Sequence, residues 1–212
     1  GFRRIFQGST MVREQIESRG VSILTDPVIS YPFPTDLPRY TIADLPDVVD
    51  YALITHGHAD HLMLETLLAL RDRIGTIVVP RAGGGSLEDP SLALMLRRIG
   101  FQRVVELGEL SSIEVPGGSI TGMPFLGEHG DLDIRAKIAH LVRLEGKSIL
   151  MAADSNAIEP RVYDHVRPLV GKVDAMFDDL GEQTLRKVKP IPATRGRILA
   201  RDGRVLVDNL AV

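Results

Sequence analysis

The apolar positions of this chain fall mostly in short runs, separated by glycine, proline and charged residues, with longer stretches of helical spacing between them. Residues 21–24 are apolar and partly β-branched up to a stop at Thr25-Asp26-Pro27, which predicts a strand. Residues 51–54, 76–80, 103–107, 111–115 and 119–123 read as further strands bounded by turn formers, and residues 2–6 as an edge strand. Residues 62–74 place leucines at 64, 67, 68 and 70 against Glu65, Arg71, Asp72 and Arg73, the spacing of an amphipathic helix. Further helices are predicted over about 90–99 and 159–170. Residues 29–46 hold four prolines with Tyr31, Phe33 and Tyr40 between them, which excludes a regular helix or a central strand. They read as a long loop, either packed by its own aromatics or serving as a lid. The triple glycine at 83–85 lacks the Gly-Lys-Ser/Thr ending of a phosphate loop and reads as a connection. Short strands with helices between them predict a layered α/β sandwich.

Composition narrows the partners. A chain of 212 residues with 44% hydrophobic content is one ordinary domain with a substantial core. The expected domain spans 1–212, with the part from about 180 less clearly attached to the pattern. It reads there as a hairpin, with a turn at 201–204 between strands at 197–200 and 205–207. A net charge of −3 and scattered Lys and Arg offer no long-range attraction for nucleic acid or an acidic membrane. No signal-peptide core and no apolar stretch of spanning length is visible, so the expected location is the cytoplasm. With no cysteine, any metal must be held through nitrogen and oxygen.

Candidate chemistry concentrates at His56-Gly57-His58-Ala59-Asp60-His61, where half of the six histidines lie between a predicted buried strand and a predicted helix. Four metal-ligand side chains within about a turn of backbone are a strong signal. Alternation lets His56 and His58 face one metal, leaves Asp60 and His61 to reach a second, and puts Asp60 near the positive pole of the helix. A second ligand-bearing loop is expected after the strand ending near Pro124, where Glu128 and His129 are adjacent and project differently. A third candidate is Asp154, which ends the apolar run 149–153. A carboxylate there is costly unless paired or metal-bound, and its two oxygens suit a bridge between cations about 3.5–4 Å apart. Asp26 before Pro27 at a strand end reads as a turn former.

The His-x-His-x-Asp-His motif is that of the metallo-β-lactamase fold, an αββα sandwich that holds one or two metals at its edge, and the chain resembles that family. The stretches around Gly127-Glu128-His129-Gly130, Ala153-Asp154-Ser155-Asn156 and Ile158-Glu159-Pro160 resemble its diiron oxygenase branch. Known members of that branch β-hydroxylate amino acids tethered to carrier proteins, as in the chloramphenicol pathway. The resemblance implies Glu128 as a ligand with His56 and His58, Asp154 as the bridge, and Asp26 orienting a histidine ligand. It implies two metal ions, iron, with molecular oxygen as co-substrate, an electron donor, and a small-molecule or carrier-protein-bound substrate. Two histidines and a carboxylate with open positions suit iron(II) and oxygen, whereas three histidines suit zinc hydrolysis. Should His129 bind instead of Glu128, the reading becomes a zinc hydrolase of a lactone, thioester or related bond. A metal-poor binding module is a third class. The sequence departs from the family at the last ligand of the second metal. The only histidine after Asp154 is His165, inside a predicted helix, which leaves Asp178, Asp179 or a segment beyond the given chain as candidates.

Overall fold

The computed structural model describes residues 15–18, 20–29, 41–83, 89–126, 134–155, 160–178, 198–199 and 205–207. The chain divides into a unit of residues 1–179 and a smaller one of 180–212. In the larger unit, β1 (Gln15–Ser18), β2 (Val21–Thr25), β3 (Val49–Leu53), β4 (Ile74–Pro80) and β5 (Val104–Leu107) form one sheet in that order. β1 and β2 are an antiparallel hairpin, and β2 to β5 run parallel. Parallel neighbours require crossovers. Helix α1 (Leu64–Ala69) supplies the one between β3 and β4, and α2 (Leu92–Arg98) the one between β4 and β5. The second sheet holds β6 (Ser112–Val115), β7 (Gly118–Met123), β8 (Ala139–Leu144), β9 (Lys147–Ala153) and β10 (Ala175–Asp178), ordered β10-β9-β8-β7-β6. It is antiparallel except where β10 returns beside β9 through α3 (Pro160–Val170).

The layers follow from the two-residue period of strands buried on both faces. On β3 and β4, Leu53 and Val78 point toward the second sheet, where they pack with Ile120, Val142 and Met151. Their neighbours Ala52, Ile54, Ile77 and Val79 point the other way, onto Leu67 of α1 and Ala93 and Leu96 of α2. On the second sheet Leu141, Leu150 and Ala152 face outward against Val166 of α3. Each such buried aliphatic side chain contributes roughly 1.5–3 kcal/mol. The result is the αββα sandwich expected from the sequence. In the smaller unit, β11 (Ile198–Leu199) and β12 (Val205–Val207) pair antiparallel, the predicted hairpin.

Two elements differ from expectation. The helix predicted over 62–74 is confined to Leu64–Ala69, with Met63 at its N-cap making no side-chain capping bond. Tertiary pairing ends it: Val49 donates to the Arg73 carbonyl and Ile74 already pairs with Val49 in β4. Asp60 therefore precedes the helix by about a turn instead of lying directly before it, which weakens the expected helix-pole effect. Strand β8 was not visible in the sequence because His140 and Arg143 interrupt its apolar run. Among the described residues no helix is long and apolar enough to cross a membrane.

Candidate metal centre

Parallel sheets present their ligand-binding residues beyond the C-terminal ends of the strands, and the site forms there, past β2 and β3. Beyond β3, Ile54 still donates to the Val78 carbonyl, and Thr55 and His56 follow fully buried. The chain then turns. His61 and Leu62 both donate to the His58 carbonyl, which brings the His61 ring back into the interior. At the end of β2, Asp26 adopts a left-handed φ of 41° and donates its N–H to the Leu53 carbonyl. Such a backbone costs a non-glycine residue about 1–2 kcal/mol. Fully buried, its carboxylate accepts from Thr55 N at 2.8 Å, Thr55 Oγ1 at 2.6 Å and His61 Nδ1 at 2.9 Å. Both readings open for Asp26, the turn and the histidine partner, describe one residue.

This network assigns the histidine tautomers. With its hydroxyl proton on Asp26, Thr55 Oγ1 accepts from His56 Nδ1 at 3.0 Å. His61 Nδ1 likewise carries the proton it gives to Asp26. The Nε2 atoms of both rings are therefore bare. Bare His61 Nε2 faces Asp154 Oδ2 at 3.1 Å, and His56 Nε2 lies 3.7 Å from that same oxygen and 2.8 Å from His58 Nδ1. Two acceptors at 3.1 Å repel unless a proton or a cation lies between them. Burial, with His61 adding to it, pushes the His56 imidazole down to about 3 against the opposing Asp26 and Asp154 carboxylates. His56 is thus neutral at pH 7, the form a metal requires. The edge of Phe125 closes one side, its ring 5.4 Å from that of His56.

His56, His58 and Asp154 offer ligand atoms all within 4.8 Å of one another. The oxygen of Asp154 also reaches His61, so one carboxylate touches both histidine sets read from the motif. Asp60 is half-exposed at the rim, its Oδ2 3.7 Å from His61 Nε2. Converging bare nitrogens and carboxylates fit one or two cations. Glu128 and His129 lie outside the described residues, but Leu126, two positions earlier, is fixed. Its N–H donates to Ser155 Oγ at 2.8 Å, directly beside Asp154. His165 is exposed on α3. Asp178 ends β10, its side chain outside the described set, as is Asp179 altogether. One participant, Thr55, a hydroxyl in an apolar run, had no sequence signal.

A sandwich of two sheets between helices, with a His-x-His-x-Asp-His loop at the strand ends, defines a protein of the metallo-β-lactamase fold. Residues 22–196 match the beta-lactamase superfamily domain, and the chain belongs to that family. It is 46% identical over 161 residues to the 4-amino-L-phenylalanyl-[CmlP-peptidyl-carrier-protein] 3-hydroxylase of Streptomyces venezuelae, covering 75% of this chain and 30% of that protein. Among solved structures it is similar to CmlA, a diiron beta-hydroxylase from Streptomyces venezuelae. The identity is 43% and the TM-score 0.71, over 79% of this chain and 33% of that one. The chain therefore spans about a third of the length of these relatives. An isothiocyanate hydrolase from Delia radicum gut bacteria, at 21% identity and TM-score 0.54 over 84% of this chain and 77% of that one, shares the fold.

Proposed function

We propose that this chain forms the metal-binding body of an oxidoreductase that uses two ions, iron, and molecular oxygen to hydroxylate the β-carbon of an aminoacyl group held on a carrier protein. His56, His58 and Glu128 would hold one ion, Asp60 and His61 the other, and Asp154 would serve both. The observation that carries this reading is Asp154 Oδ2, which lies 3.1 Å from a bare His61 nitrogen and 3.7 Å from His56. The relatives described as a diiron beta-hydroxylase and a carrier-protein 3-hydroxylase support the reaction class. A donor set of histidines with carboxylates suits iron, the metals supplying oxygen activation when bound.

The chain's own residues supply orientation and exclusion. Asp26 and Thr55 hold both buried rings in the tautomer that leaves Nε2 bare, and Phe125 keeps water from one side of His56. Overall, one oxygen atom of O2 enters the β C–H bond as a hydroxyl and the other leaves as water. Two electrons and two protons come from a donor. A cytoplasmic setting, with its pool of small reductants, suits that requirement.

The test has two arms. Elemental analysis of protein produced with both iron and zinc available is expected to return about two irons per chain. Incubation with reductant, oxygen and an aminoacylated carrier protein is expected to add one oxygen atom to the aminoacyl group by mass spectrometry. Glu128→Ala should lose the iron while His129→Ala keeps it. Stoichiometric zinc retained by Glu128→Ala but lost by His129→Ala would replace this reading with a hydrolase.

A further inference from the structure

His140 is the fifth of the chain's six histidines, and none of the contacts of the metal centre gives it a task. It lies on β8 with its neighbours Ala139 and Leu141 facing α3, so alternation turns its ring inward between the two sheets. Its cross-strand partners are Gly122 on one side and Met151 on the other. Two residues earlier, Ile138 donates to the Thr55 carbonyl, which locks this part of β8 against the strand end that carries the site. The ring is fully buried, and neither Nδ1 nor Nε2 has a hydrogen-bond partner among the described residues. The same holds for Thr25 Oγ1, on the inward face of β2, one residue before Asp26.

An imidazole with both nitrogens unsatisfied is an expensive core residue, because each buried polar atom forfeits its hydration. A core position between Ile138 and Val142 would be better served by leucine. Gly122 adds no bulk opposite the ring, and a Cβ there would meet the Gly108 carbonyl at 2.4 Å. The charge that acts on the ring is Asp26. Small polar gaps in a core are filled by buried water with two to four partners, and the available groups match in kind: a neutral imidazole N–H donor, a threonine hydroxyl and a carboxylate acceptor.

We propose that His140 is a positioning residue for the metal centre, its ring joined through a buried water, shared with Thr25, to the Asp26 carboxylate that fixes His61. The water is held by groups from both sheets, so it ties the orientation of Asp26 to the packing of the sandwich. This rests on the metal-site reading given under Proposed function.

The test compares the full chain with His140→Leu and His140→Gln. Zinc affinity is read by competition with a chromophoric chelator, and the His61 tautomer in metal-free protein by ring ¹⁵N shifts. His140→Leu is expected to fold, leucine filling the core position between Ile138 and Val142. It should bind zinc roughly tenfold more weakly, the size of effect typical of groups behind a ligand. The His61 Nδ1–H tautomer should lose population. His140→Gln, which restores a donor, is expected to recover affinity to within about threefold of the wild type. A His140→Leu variant that binds zinc as tightly as wild type with the same His61 tautomer overturns the proposal and makes His140 a packing residue. Wild-type protein that binds no zinc overturns both this inference and the metal-site reading, which separates the two failures.

Discussion

Asp26 accepts three hydrogen bonds on one buried carboxylate, and two of its donors decide where histidine protons lie. That makes Asp26→Asn a sharp test. Thr55 can rotate its hydroxyl to accept from the new amide, but His61 Nδ1–H would face an N–H donor. The ring escapes by moving its proton to Nε2, the atom a metal needs. Asp26→Asn is therefore expected to keep the far-UV circular dichroism of the wild type and to lose about 10–100-fold in metal affinity by chelator competition. Much of this cluster was legible in the sequence, because the candidate ligands are close together in the motif and Asp26 stands at a strand end before proline. Thr55 was not. Its role depends on β2 and β3 ending side by side, and nothing in residues 51–56 carries that information.

At the scale of elements, the site is held by a seam where β9, the stretch after β7 and helix α3 meet at Ser155. This buried hydroxyl accepts from Leu126 N at 2.8 Å, reaches the Leu126 carbonyl at 3.3 Å, and lies 3.0 Å from the Tyr163 hydroxyl. Ser155→Ala would leave the Leu126 amide and the tyrosine hydroxyl without this partner. Losing hydrogen bonds of this kind costs about 1–3 kcal/mol, measurable as a lower urea midpoint. If Glu128 is a ligand, the same variant should weaken metal binding, since Leu126 anchors the start of its segment. His129→Ala in the same assay should not. The short parallel strands were readable as apolar runs, because burial on both faces enriches them in Val, Ile and Leu. Helix α1 was misjudged in length for the opposite reason. Its leucine spacing continues past Ala69, yet the backbone there is claimed by the pairing of Ile74 with Val49, a contact 25 positions apart that local periodicity does not register.

At the scale of the molecule, the sandwich buries the imidazoles of His56, His61 and His140, and burial pushes those of His56 and His140 toward the neutral form, which sets how stability responds to acid. Burial pushes the His140 ring down to about 4, with Asp26 opposing, while in the unfolded chain it titrates near its ordinary 6.5. Between those values the unfolded state binds a proton that the folded state refuses. Stability contributed by keeping His140 neutral is thus whole above about pH 6.5 and falls as the pH drops toward 4. At 1.36 kcal/mol per unit, the loss at pH 4 is about 3 kcal/mol. Urea unfolding of the chelator-treated chain should therefore show a midpoint that drops between pH 7 and pH 4, and His140→Leu should remove about 3 kcal/mol of that drop. His56, pushed lower still, extends the remaining decline toward pH 3, so the variant should not become acid-insensitive. A His140→Leu chain that declined as steeply as wild type over pH 6.5–4 would mean that the folded interior accepts the His140 proton. Burial at β8 would then carry none of the acid sensitivity, which would fall to His56 and other groups.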